Sequence, residues 1–231
     1  MATALYTDGR YEVLHPTWHS EDSEWKGQQV VAMLLRNQIE PKTVCEIGCG
    51  AGGILRMLQR NLSPGCDFIG YEISPQAYAR CAGLANESLR FVLGDFLQQP
   101  RRELDLLLCM DVVEHVQDYL GFLKQVRARG HRKLFHVPLD LSLQGLLREV
   151  PEAVRKSAGH LHSFTRKLFF EALQETGYEV LDWCYTPAAV DLPARSFAMA
   201  CAKWPRKIMF ALSPELAVRT LGGYSLLVLA E

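Results

Sequence analysis

The run Val44-Cys45-Glu46-Ile47-Gly48-Cys49-Gly50-Ala51-Gly52-Gly53 carries the residues best placed to do chemistry, and it would do it through the backbone. Glycines at the end of a buried strand let the chain turn sharply and approach a ligand with no Cβ in the way. In an open parallel sheet, ligands bind at that carboxyl edge, so Gly48 and Gly50 are expected to face a nucleoside cofactor. Carboxylates recur at similar positions: Glu46 before the first glycine, Glu72 after Phe68-Ile69-Gly70-Tyr71, Asp95 after Leu93-Gly94, and Asp111 after Cys109-Met110. An acidic residue after the second strand suits ribose hydroxyls. Asp95 reads also as a turn residue, and Asp111 as a helix cap. Histidine is the side chain best suited to move protons near neutral pH, which makes His115, His136 and His162 candidate bases. His160 and His162 stand two residues apart. Without a nearby Cys or carboxylate cluster they make a poor ligand set, and no metal site is expected.

These residues need a scaffold of alternating strands and helices. Ser23 to Gln38 reads as a helix, with Trp25, Val30, Met33 and Leu34 at helical spacing. Short apolar strands follow at Thr43 to Ile47, Asp67 to Tyr71, Arg90 to Leu93, Leu104 to Met110 and Lys133 to Val137. Helices are expected at Gly52 to Asn61, Gln76 to Ala82, Val113 to Ala128 and Thr165 to Thr176. A sixth strand is expected at Tyr178 to Trp183 and a last one at Tyr224 to Leu229. That rhythm predicts an α/β fold, a parallel sheet with helices on both faces. Residues 1–22 read as an irregular arm. The arm and first helix together (1–38) are expected to form a lid through Trp18, His19, Trp25 and Lys26, before a main domain over 39–231. Residues 186–223 read as a helical insert. Within it Met199 to Phe210 is either a cap over an acceptor pocket or a homodimer contact.

With 25 basic and 26 acidic residues in 231, and a formal net charge of −1, the chain lacks the basic excess of a nucleic-acid binder. Its start has neither a basic region nor an apolar core of signal type. Its apolar runs are too short to span a bilayer. Seven cysteines, with no C-x-x-C pair, point to a reducing cytoplasm.

The glycine loop also satisfies a dinucleotide fingerprint, so an NAD-dependent oxidoreductase is the alternative reading. Glu46, however, occupies a position that is normally apolar in such sites. From about residue 40 to 185 the sequence resembles the class I S-adenosyl-L-methionine (SAM)-dependent methyltransferases. Glu46-Ile47-Gly48-Cys49-Gly50-Ala51-Gly52 is similar to their first motif, and Phe68 to Ser74 to their second. Gly94-Asp95-Phe96 resembles their adenine motif, Asp111-Val112-Val113-Glu114-His115 the D-V-x-E-H motif of small-molecule members, and Gly159 to Thr165 a stretch of the same branch. The resemblance implies a seven-stranded sheet in the order 3-2-1-4-5-7-6 with the last strand antiparallel. It implies SAM as cofactor, bound by Glu46, Gly48, Cys49, Gly50, Glu72, Ile73, Asp95, Phe96, Asp111 and Val112, and a small-molecule acceptor. Pro16-Thr17-Trp18-His19 with Glu21-Asp22-Ser23 and Trp25-Lys26 shows a slighter resemblance to methyltransferases encoded beside surface-polysaccharide genes. A non-catalytic SAM-binding protein is a further alternative.

Overall fold

The computed structural model describes residues 6, 8–18, 20–194 and 197–231. His19, assigned above to the lid, lies outside them. Seven strands form one sheet: β1 (Thr43–Ile47), β2 (Asp67–Glu72), β3 (Leu89–Leu93), β4 (Leu106–Met110), β5 (Arg132–Pro138), β6 (Val180–Thr186) and β7 (Ser225–Ala230). Their spatial order is 3-2-1-4-5-7-6, with β7 antiparallel to both neighbours and the other pairs parallel. This is the sheet that the resemblance implies.

The strands read as continuous apolar runs because both faces are covered. Alternate residues of one strand therefore enter different cores. Cys45, Ile47, Leu107 and Cys109 face helices α5 (Tyr119–Arg127) and α8 (Arg166–Glu175). Val44, Leu106 and Leu108 face α2 (Ser23–Arg36) and α3 (Gly53–Asn61). Between those last two helices Gly27 stands where a Cβ would lie 2.6 Å from the Met57 sulfur, so the axes approach closely. Helix α4 (Pro75–Cys81) follows β2, and α6 (Leu143–Leu147) and α7 (Val150–Ser157) follow β5. The insert before β7 is helical: α9 (Ala188–Asp191), α10 (Phe197–Leu212) and α11 (Pro214–Leu221). No helix among the described residues is long and apolar enough to cross a membrane.

Three expectations change. The arm is partly regular, with α1 (Arg10–Leu14) and a 3₁₀ turn at Ser20–Asp22. The sixth strand begins and ends later than expected, because Tyr178 is held outside it by its hydroxyl on the Leu123 carbonyl at 2.8 Å. The helix expected over 113–128 is two pieces, a 3₁₀ turn at Val113–His115 and then α5. The Glu114 carbonyl, which a continuous helix would pair within itself, accepts instead from the amides of Leu161 (2.8 Å) and His162 (3.1 Å). Helix α5 then starts afresh at Asp118, whose carboxylate accepts from the Gly121 amide at 2.9 Å. Asp118→Ala should lower stability by about 0.5–2 kcal/mol, the usual loss for an N-cap, measured as a shift in urea denaturation.

Candidate active site

The turns after β1, β2 and β4 converge on a cavity of about 380 Å³, which the amino-terminal arm helps to line. The glycine loop follows β1. Gly48 has φ 66°, and a Cβ there would come within 2.9 Å of the Val112 side chain. Only glycine suits that combination. The loop is stitched to β2 by Gly48 and Cys49, whose amides both donate to the Tyr71 carbonyl at 2.8 and 3.1 Å. Glu72 completes the stitch: one carboxylate oxygen accepts from the Gly50 amide and the other from the Ser74 amide, each at 2.8 Å. Burial raises the Glu72 carboxyl above its ordinary value, and these amides pull against that shift. Cys49 turns its sulfur away from the turn, into the space left by Gly70, where a Cβ would lie 2.6 Å from it.

Glu46 projects from β1 beneath this loop. It is 1% exposed, and its Oε2 has no hydrogen-bond partner. Burial pushes its carboxyl well above the usual range; Lys26 opposes the shift and Glu72 adds to it.

After β4, Asp111 holds a left-handed backbone with φ 55°. Its carboxylate takes Nδ1 of His136 at 2.5 Å and Nζ of Lys26 at 2.6 Å. Burial acts to raise the Asp111 carboxyl, but His136 and Lys26 overcome it and hold the carboxyl well below the ordinary value. The second nitrogen of His136 meets Thr186 Oγ1 at 2.9 Å. Thus Thr186, His136, Asp111 and Lys26 form one chain from β6 to α2. The helix-cap reading of Asp111 does not hold, since its carboxylate is committed sideways.

The arm contributes Tyr6, Tyr11 and Trp18 to the cavity wall, with adjacent ring centroids 4.7 and 4.9 Å apart. The Trp18 indole N–H is buried without a partner. Trp25 clamps the far side, its indole donating to Asp191 of α9 at 3.1 Å. At the inner end Glu114, His115 and His160 share one pocket of the cavity.

Most of the residues expected to bind cofactor therefore meet here: Glu46, Gly48, Cys49, Gly50, Glu72, Ile73, Asp111 and Val112 all line the cavity, with His115 and His136. Asp95 and Phe96 are placed elsewhere. The Asp95 carboxylate accepts from the Leu97 amide at 2.9 Å, which is the turn reading. The Phe96 ring is buried edge-on to Tyr71 at 5.2 Å with Arg129 over it at 5.5 Å. His162 also lies outside. It packs on Tyr119, and its Nε2 faces the Gln117 carbonyl at 3.2 Å. His136 is in place, but both ring nitrogens are engaged within the protein. Nor do described residues of α10 line the cavity: Trp204 is 69% exposed, and Ala188 and Leu192 supply the insert's share. Sequence reasoning missed Tyr6, Tyr11 and Glu114, which line the cavity, and Asp140, whose Oδ2 lies 2.7 Å from Nδ1 of His160. For Glu114 a signal existed, an acidic residue inside an otherwise recognised motif.

Residues 18–182 match the family model described as a methyltransferase domain. The chain is 31% identical over 94 residues to norajmaline N-methyltransferase of Rauvolfia serpentina, a segment covering 38% of this chain and 32% of that one. It is 24% identical over 140 residues to the ubiquinone biosynthesis O-methyltransferase of Acinetobacter baylyi (strain ATCC 33305 / BD413 / ADP1), covering 53% of this chain and 58% of that one. The matches thus span about a third to three-fifths of these curated relatives. Magnesium protoporphyrin IX methyltransferase of Synechocystis PCC 6803, solved with bound SAH, shares the fold with a TM-score of 0.60 at 16% identity, over 90% of this chain and 82% of that one. The chain belongs to the class I SAM-dependent methyltransferase family. Membership sets aside the NAD-dependent oxidoreductase alternative.

Gly48→Ala should reduce stability by about 1–2 kcal/mol through its left-handed backbone and weaken nucleoside binding by displacing Val112, checked by thermal unfolding and calorimetry.

Proposed function

We propose that this chain transfers a methyl group from SAM to a small polar acceptor, with a sugar-linked precursor as the leading class. The carrying observation is the glycine turn held open by Glu72 above a buried, unpartnered Glu46 oxygen. That arrangement fits the donor: exposed loop backbone for the nucleoside, and an anionic group awaiting a cation. The near-zero net charge of the chain and the polar inner end of the cavity support a small polar acceptor rather than a nucleic acid.

SAM supplies a methyl group already activated by positively charged sulfur. What remains for the protein is to bind, orient and keep water out. Positioning of this kind contributes on the order of 7–11 kcal/mol where geometry is well held. Glu46 offers a negative charge within the cavity. Glu72 keeps the loop amides fixed, and the chain from Thr186 to Lys26 anchors the loop after β4. The aromatic arm covers the cavity as a lid. His115, at the inner end with Glu114 and His160, is the histidine placed to touch an acceptor. His136, with no nitrogen to spare, is a positioning residue, and His162 takes no part.

Calorimetry should show binding of S-adenosylhomocysteine (SAH) and none of NAD, and labelled methyl should pass from SAM into a fraction of a metabolite extract. His115→Ala should lower that turnover by about 10²- to 10⁴-fold. SAH binding with no transfer to any fraction would favour the non-catalytic alternative.

The raised Glu46 carboxyl sets a pH dependence. Burial shifts the Glu46 balance toward the protonated acid, whereas a cationic donor shifts it toward the carboxylate. Binding of SAM should therefore release a proton. Affinity should fall as pH drops through the raised value and level off above it. Glu46→Gln should flatten that profile in calorimetric titrations; an unchanged slope would remove Glu46 from donor binding.

A further inference from the structure

The inner end of the cavity holds Glu114, His115 and His160, which offer one ligand atom each, all within 4.8 Å of one another. Their hydrogen bonds determine what those atoms present. The His115 Nδ1 lies 3.2 Å from the Gly159 carbonyl, which can only accept, and 2.7 Å from the Tyr6 hydroxyl. That hydroxyl in turn donates to the Ala158 carbonyl at 3.0 Å. The network therefore assigns the proton to Nδ1, and Nε2 faces Glu114 Oε1, 3.9 Å away.

His160 repeats the pattern. Its Nδ1 donates to Asp140 Oδ2 at 2.7 Å, so Nε2 is the nitrogen left to act as a ligand. A histidine whose other nitrogen is anchored on a carboxylate is the usual outer-shell arrangement of metal-binding imidazoles. Glu114 itself is 0% exposed, and both carboxylate oxygens are buried with no hydrogen-bond partner. A buried carboxylate without partners is costly unless a cation or a proton answers it. Two imidazole nitrogens and two orphaned carboxylate oxygens thus converge where a positive charge is wanted.

We propose that Glu114, His115 and His160 bind a divalent first-row transition cation, with Asp140 orienting His160 and Tyr6 orienting His115. Two imidazoles and one carboxylate suit zinc, cobalt, iron(II) or manganese, and an oxygen-rich magnesium or calcium cage is absent among the described residues. Bond lengths of about 2.0–2.2 Å to such a cation require the three atoms to draw together slightly. The structure shows how they come to meet: the Glu114 carbonyl captures the amides of Leu161 and His162, which brings the loop bearing His160 onto the turn bearing Glu114 and His115. Three protein ligands leave coordination positions open toward the cavity. There the cation would take an oxygen donor of the acceptor, such as a hydroxyl whose acidity it raises. That role toward an acceptor rests on the methyltransferase reading; the cation site itself does not.

The test uses the full chain stripped with a chelator and titrated with cobalt(II), followed by its visible absorption and by calorimetry. We expect one equivalent bound, displaced by zinc. Glu114→Gln and His160→Ala should each weaken cobalt binding by more than tenfold, and Asp140→Asn by about 10- to 100-fold. Far-UV circular dichroism and thermal unfolding of the same samples report that each variant is folded, and SAH titration of the parent chain reports donor binding separately. Absence of stoichiometric cobalt uptake by the parent chain, or uptake of equal affinity in Glu114→Gln and His160→Ala, would overturn the site. Cobalt binding by a parent chain that fails to bind SAH would instead overturn the methyltransferase reading and leave the cation site standing.

Discussion

The carboxylate of Asp111 is gripped from two sides, by the His136 ring in β5 and by the Lys26 ammonium in α2. A non-glycine residue keeps a left-handed backbone only where its surroundings over-determine it, and here the grip does so. The chain from Thr186 through His136 to Asp111 and Lys26 crosses the carboxyl edge of the sheet. It sets the turn after β4, docks the amino-terminal helix, and holds Val112 against Gly48. Much of the cavity's shape depends on those few bonds. Their charge balance also matters for ligand choice. Glu46, Glu72, Asp111 and Glu114 all line the cavity, with Lys26 as an opposing charge already committed to Asp111. A lining of that kind selects for positive ligands.

A second constraint is the backbone bond pair at Glu114. By giving its carbonyl to Leu161 and His162, the chain ends the turn after β4 and joins two loops distant in sequence. The same carboxyl edge thereby carries two chemically different ends. One is main-chain amides and carboxylates near the glycine turn, and the other is imidazoles and an orphaned carboxylate near Glu114.

What could be read from residues alone was local. The glycine turn, the carboxylates at the ends of β1 and β2 and just after β4, and the burial of the strands follow from nearest-neighbour chemistry, and the structure keeps them. The strand order came from family resemblance, not from periodicity. Asp95 illustrates where local chemistry gives two answers, because Gly-Asp makes a turn whether or not a ligand is near. The split of the expected 113–128 helix depends on amides from residues 161 and 162, a contact that no spacing reveals. His160 and His162 looked equivalent two residues apart. That spacing would put both rings on one face of an extended strand, but the loop turns His160 into the cavity and His162 against Tyr119, and only His160 pairs with Asp140. The arm was opaque for a different reason. Tyr6, Tyr11 and Trp18 have no periodic pattern because they pack on one another and on the site instead of on the sheet.

Lys26 stands in α2, one turn beyond the arm that lines the cavity, and its charge is spent on Asp111. Moving α2 off the sheet edge would tear that ammonium from Asp111 and hydrate both groups at once, so the segment from which the aromatic arm extends is moored to the turn after β4.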